Sequence, residues 1–207
     1  LGLKTASLAM SKFNQAMNGK GIMELGSDIT EVENIVDVAF GSMANKAYEF
    51  ASVATKQFGL SELAAKNYTG TMMAMLKSSG VAQDSAAEMS TTLAGLAGDL
   101  ASFYNIDIDT AFYKIRAGIS GQVMPLRQLG INLSVANLEA YALSQGITTS
   151  YNSMTQAQKV MLRYNYLLSV TGDQQGDFAR TSGSWANQTR LLTLNLQSLS
   201  SVIGQGL

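Results

Sequence analysis

The chain has 207 residues, enough for one domain or two small ones with a real core. Fourteen Lys and Arg stand against fifteen Asp and Glu, a net charge of −1, so bulk charge gives no case for nucleic-acid binding. With no Cys and no His, disulfides, thiol nucleophiles, zinc sites built on Cys or His, haem ligation by His and every His-based triad are excluded.

One proline in the whole chain permits long helices, and nineteen glycines punctuate them. Residues 3–18 read as a helix, followed by a break at Gly19, Gly21 and Gly26. Asp28 and Glu31 resemble a capping box. From there Ile29, Val32, Val36, Ala39, Met43, Ala47, Phe50 and Ala54 step by three and four, which predicts one helix to about Phe58 with Gly59 as its stop. Such a helix is a bundle member or, alternatively, a seam for other subunits. Ser61 caps a helix that ends near Gly80, with Met72, Met73 and Met75 as gap-filling core residues. Asp84 opens a third helix striped by Ala86, Met89, Leu93, Leu96, Leu100 and Phe103. Its small residues Ala94, Gly98 and Ala101 allow tight packing of a neighbour.

Asn105, Asp107 and Asp109 fail as a calcium loop, because the sixth position is Thr110 rather than Gly and the twelfth is Arg116 rather than Glu. They succeed as a helix start, with Asp107 as the cap of a helix through Ile119. Gly118, Gly121, Pro125 and Gly130 then form a compact break around a short helix carrying Leu126 and Leu129. Ser134 caps the next helix, ending at Gly146, and residues 147–154 read as an extended connector. Thr155 and Gln158 form a capping box for a helix that stops near Gly172. Residues 172–183 are polar and Gly-rich, the best linker candidate. Trp185, Leu192, Leu196, Leu199 and Ile203 stripe a last helix, with Trp185 read as a packing anchor.

The resulting fold class is all-α: a compact multi-helix bundle of roughly seven helices with Gly and Pro breaks and no sheet. Its organisation is an N-terminal long-helix region (1–58), a core helical domain (59–172), and a linker with a C-terminal helix (173–207). The chain begins at Leu1 and stops at Leu207 inside an apolar helical pattern, which reads as an internal piece of a longer polypeptide. Charged residues are 14%, well below the roughly 25% of an ordinary soluble domain, which suggests surface hidden in an assembly. Residues 1–109 hold seven Lys against twelve acids, a net of −5, while 110–207 carry a net of +4 and all the Arg. This split suits pairing between the halves or head to tail, ahead of the alternative of a mild phosphate-contacting face, which lacks clustered cations and interleaved aromatics.

No chemistry emerges. The chain has no G-x-S-x-G elbow, phosphate loop or dinucleotide-binding glycine motif. Glu62, Glu88, Asp99 and Glu139 sit on helical faces, where a solvated carboxylate is the ordinary explanation. No catalytic, cofactor-binding or metal-binding residue is expected.

From about residue 60 onward the order of phrases resembles the core region of bacteriophage tail tape measure proteins. Those phrases are Asp-Leu-Ala-Ser-Phe at 99–103 (Asp99, Phe103) and the run 118–131 with Gly118, Gly121, Pro125, Leu126, Arg127 and Gly130. Next come Lys159, Arg163 and Tyr164, then Gly176, Asp177 and Phe178 in Gly-Asp-Phe-Ala-Arg-Thr, and Trp185 shortly after. Ala82 and Gln122 depart from residues common in the family. The resemblance implies a structural virion component involved in tail assembly, tail-length determination and genome ejection. It implies no cofactor, and as partners other tail proteins (tube, tip or baseplate, tail chaperones) and copies of the chain itself. The host membrane is a further candidate partner; no specific nucleic-acid sequence is. The location implied is the virion, as phage tail or tail-like particle, and the bacterial host cytoplasm during assembly. The alternatives are a membrane-active helical module acting during DNA delivery and, behind it, a peptidoglycan-cleaving domain. Because the breaks turn the chain back repeatedly, it reads as a compact domain docked at one end of the tail rather than as the measuring rod.

Overall fold

The structure, a computed structural model, describes the backbone of residues 20–205 and the side chains of residues 29–195. The helix expected over 3–18 lies outside the described residues. Helix α1 (Lys20–Phe40) leads through a 3-10 turn (Gly41–Met43) into α2 (Ala44–Phe58). Then follow α3 (Glu62–Ser78), α4 (Gln83–Phe103), α5 (Ile108–Ser120) and the short α6 (Val123–Arg127). Helix α7 (Val135–Ser144), a 3-10 turn (Tyr151–Ser153), α8 (Gln156–Val170), the short α9 (Asp177–Arg180) and α10 (Trp185–Gln205) complete the chain. The described residues contain no strand, and the compact all-α fold is shown.

Residues 89–98 of α4 carry no charge and are small or apolar on every face. A helix of that kind has to be enclosed, and α4 is buried almost continuously from Ala86 to Ala101, against α2, α3, α5 and α9. The small-residue stripe is used as expected. A Cβ on Gly98 would lie 2.2 Å from the Phe58 carbonyl oxygen, and one on Gly95 2.9 Å from the Phe58 ring. Helix α1 meets α3 the same way at Gly70, where a Cβ would lie 2.8 Å from Ile35. Met72 and Met73 are fully buried in this core and Met75 packs at its edge.

The caps hold where they were expected. The Ser61 hydroxyl accepts from Ala64 N at 3.0 Å, and Asp107 Oδ1 accepts from Asp109 N at 2.9 Å and Thr110 N at 3.2 Å. Ser134 Oγ accepts from Asn137 N at 3.5 Å, and both halves of the Thr155–Gln158 capping box are present. Helix α4 is capped differently: Ala82 holds the N-cap with no side-chain bond, and Asp84 lies in the first turn.

Several expectations need correction. The single helix from 28 to 58 is two helices. Gly41 takes φ +57, a left-handed value that ends α1. The freed carbonyls at that end are taken from outside: Lys77 Nζ donates to Ala39 O at 2.8 Å and Gln83 Nε2 to Phe40 O at 2.9 Å. At the other end Asp28 does not start a helix. Helix α1 already runs at Lys20 and carries Gly21 and Gly26 inside it. The connector at 147–154 is not all extended, because its 3-10 turn buries Tyr151 and Met154 in a satellite cluster with Leu138, Ala142 and Leu162. Residues 172–183, offered as a linker, form a packed knuckle around α9, with Phe178 fully buried. Trp185 is not a packing anchor: it is 72% exposed. Among the described residues no ion pair joins the two halves of the chain. The described ion pairs join Lys46 to Glu88, Lys66 to Glu33 and Glu62, and Arg180 to Asp177, each within its own half.

Candidate functional site

The residues that carry the resemblance gather at two places. At the first, Asp99 projects from α4 with its side chain buried, and its two oxygens accept from Gly176 N (2.7 Å) and Phe178 N (3.2 Å). Phe178 then drops onto Gly59. That glycine has φ +64, and a Cβ there would lie 2.3 Å from the phenyl ring. Arg180 closes the knuckle on itself, donating to Gln175 O at 2.6 Å and Asp173 O at 2.7 Å. Beyond it, Asn187 Nδ2 donates to Ser102 Oγ (3.0 Å) and Thr181 Oγ1 (2.9 Å), which ties the start of α10 to the end of α4. Burial pushes the Asp99 carboxyl above its ordinary value; the two backbone N–H groups pull the other way.

At the second place Gly118 admits Leu126, since a Cβ would lie 2.2 Å from Leu126 Cδ1. Gly121, with φ +109, ends α5 and leaves room for the Arg163 guanidinium, 2.8 Å from where a Cβ would sit. Arg163 is 7% exposed, and the groups that accept its hydrogen bonds, the Tyr151 hydroxyl and the Ile119 carbonyl, are uncharged. Its Nη1 donates to Ile119 O at 2.9 Å, near the negative end of α5, and its Nε donates to the Tyr151 hydroxyl at 2.8 Å. Nη2 also donates to that hydroxyl. The Tyr151 ring lies 5.4 Å from Lys159 Nζ and 5.6 Å from the Arg163 guanidinium carbon, within cation–π range of both. Glu139 accepts from Tyr151 N at 3.0 Å and fixes the turn. Tyr151 was missed in the sequence; its one signal was a lone aromatic in a polar stretch.

The remaining resembling residues do not converge. Gly130, with φ +79, ends the turn after α6; the Pro125 carbonyl accepts from Lys114 Nζ at 3.3 Å; Arg127 is exposed. Tyr164 packs half-buried on the main core, while Phe103 is 46% exposed and Trp185 more so.

Of the carboxylates named as candidates, Glu62 and Glu88 are exposed as expected, 2.9 Å from Lys66 and 4.0 Å from Lys46. Asp99 is not solvated: it is buried and accepts backbone N–H groups, and Glu139 accepts one as well. Among the described residues no three His, Cys, Asp or Glu side chains are grouped so as to hold a metal ion. A groove of about 550 Å³ runs between the 80–85 turn, α7 and α8, floored by Val81, Met154, Met161 and Leu162, and none of its lining residues is charged. Its chemistry suits a neutral, apolar segment rather than an ionic substrate.

No family model matches the chain, and no curated protein and no solved structure matches it.

Proposed function

We propose that this chain is a compact helical domain of a phage tail tape measure protein, acting as a structural and interaction element without catalysis. The observation that supports the reading is the use made of the resembling phrases. Asp99, Gly118, Gly121, Leu126, Arg163, Gly176 and Phe178 knit helix ends and loops together. Residues of that kind preserve a shape for partners to dock on, and they need no reactive group beside them. The repeated reversals of the chain favour a docked head, with tail length set by segments outside residues 1–207. The partners proposed are tube, tip or baseplate proteins, tail chaperones and further copies of the chain, within the virion and, during assembly, the host cytoplasm.

Purified tails or tail-like particles should contain this sequence by mass spectrometry, and antibody labelling should mark one end of the tail by electron microscopy. Its absence from the particles would refute the reading. The membrane-active alternative predicts dye leakage from liposomes treated with the isolated chain. Among the described residues no helix is long and apolar enough to cross a membrane. The structural role proposed predicts no leakage. The peptidoglycan-cleaving alternative predicts clearing on cell-wall zymograms, where none is expected.

A further inference from the structure

Helices α3 and α5 meet at a ring stack and leave a hollow beyond it. Tyr68 lies flat on Phe112 with ring centroids 4.0 Å apart, and the Tyr68 hydroxyl donates to Asp109. Further along both helices a hollow of about 230 Å³ is lined by the apolar Met75 and Ala117, the exposed Tyr113 ring, Arg116 and Gln122. The Thr71 and Ser120 hydroxyls also line it, but they already donate to Asn67 Oδ1 at 3.3 Å and Ala117 O at 2.7 Å. The hollow is smaller than the about 300–1,000 Å³ of a small-molecule pocket and suits one large side chain.

Arg116 selects the partner. Among the cations whose side chains are described, Lys56, Arg116 and Arg127 alone make no hydrogen bond, ion pair or ring contact. No acid lines the hollow, and residues 63–83 and 110–138 contain no Asp or Glu. An unpaired guanidinium beside an apolar hollow offers a planar fork of N–H donors to a carboxylate and a flat face to a ring. The Met75 thioether and the Tyr113 ring favour an aromatic occupant as well.

We propose that this hollow docks an acidic segment of a partner protein. An aromatic side chain enters between α3 and α5, and a neighbouring carboxylate pairs with Arg116. Nucleic acid is the poorer fit. A protein held by duplex phosphates makes about 6–10 such contacts. Here α5 and α6 supply only Lys114, Arg116 and Arg127, and Lys114 is already bonded to Pro125 O and Gln128. The proposal rests on the hollow alone and does not depend on the tail-protein reading.

A random copolymer of glutamate and tyrosine is the probe, because it presents rings and carboxylates in every short order. It is fixed to a biosensor surface, and the full 207-residue chain is passed over it. Saturable binding is expected between about 1 and about 300 µM. Arg116→Ala should weaken it at least about fivefold. So should Ser120→Phe, which fills the hollow from an exposed position without changing charge. Lys56→Ala, which removes an equally unpaired cation from α2, should leave binding unchanged. Helicity by circular dichroism should be the same in all three variants. No binding at the highest concentration overturns the proposal, as does full binding by Ser120→Phe. Equal losses in Arg116→Ala and Lys56→Ala overturn it, because bulk charge would then be the cause. Equally tight binding to polyglutamate, which has no ring, overturns it too. Tighter binding to a DNA duplex of about 20 base pairs than to the copolymer overturns it in favour of nucleic acid.

Discussion

Replacing Asp99 with Ala tests the packed knuckle most directly. The substitution removes both acceptors from Gly176 N and Phe178 N, which sit 2.7 and 3.2 Å from the carboxylate. A backbone N–H left unpaired in a buried position costs about 1–3 kcal/mol. Two such groups set a range of about 2–6 kcal/mol. Against this, the Ala variant no longer buries a carboxyl, and burial is the largest influence on that group. The net loss expected is about 2–4 kcal/mol, which for a chain of this size lowers Tm by roughly 5–15 °C. Release of the knuckle caps the effect, since Phe178 then gives up its own burial, worth about 1.5–3 kcal/mol. Urea unfolding followed by circular dichroism measures the change. A loss below about 0.5 kcal/mol would mean that Asp99 does not hold residues 176–178.

Asp99→Asn separates charge from geometry. It keeps one acceptor oxygen and drops the charge but turns an amide N–H toward the other backbone N–H, so near neutral pH it should cost about 1–2 kcal/mol, less than Asp99→Ala. The sign of the pH dependence follows from the raised carboxyl. The folded state holds the Asp99 proton more tightly than the unfolded chain does. The resulting stabilisation is complete below the ordinary Asp value and is lost as pH rises through the raised one. The stability of the natural chain minus that of Asp99→Asn should therefore fall as pH is raised through the carboxyl range. A difference that grows with pH would show that the two N–H bonds outweigh burial.

Gly59→Ala adds a Cβ 2.3 Å from the Phe178 ring to the cost of φ +64, and should lose about 3 kcal/mol, whereas Gly130→Ala, with φ +79 and open space, should lose only about 1 kcal/mol of backbone strain; urea midpoints compare them. Tyr151→Phe takes the hydroxyl from a buried guanidinium and should cost about 1.5–3 kcal/mol, part of it recovered when Arg163→Met is added in a double-mutant cycle. Burial and the hydrogen bond to Asp37 raise Tyr48 to about 12, so folded Tyr48 keeps a proton that the unfolded chain gives up. Stability should thus fall between about pH 10 and 12, less steeply in Tyr48→Phe, as read by unfolding in alkaline buffers.

What the sequence made legible was local. Ser61, Asp107, Ser134 and Thr155 could be assigned as caps because a side chain bonding an N–H two or three residues on needs no tertiary context. The break at Gly41 was hidden because Val36, Ala39 and Ala47 face the same core on both sides of it, so the apolar period runs on through the turn. The knuckle read as a linker because its residues are polar. Yet those polar groups bond inward: Thr171 to Leu167 O, Gln175 to Leu168 O and Arg180 to two carbonyls. Phe178 was the one sign of burial there. Periodicity marked a stripe on α10 that begins with Trp185 and Leu192, yet both are exposed, because a period identifies a face and not what the face meets. Of the two assembled places, Gly118, Gly121 and Arg163 were flagged by resemblance, while Tyr151, which joins them, carried no pattern.

The scarcity of charge has a structural reading once the partners are traced. Several of the few cations are spent on backbone carbonyls at helix and turn ends rather than on carboxylates. Lys77 serves the end of α1, Arg163 the end of α5, Lys114 the Pro125 carbonyl in α6 and Lys159 the turn at Asn152. A cation at a helix C-terminus meets the partial negative charge of unpaired carbonyls and satisfies a donor-seeking group at the same time. Asp99 does the converse for two N–H groups. Such contacts join the helices alongside the two ion pairs that cross between helices among the described residues, Lys66 with Glu33 and Lys46 with Glu88. The groove between α7 and α8 likewise has no charged lining residue. Under the proposed function, neighbours would be chosen by shape, and the packing knots at Asp99 and Arg163 would hold that shape.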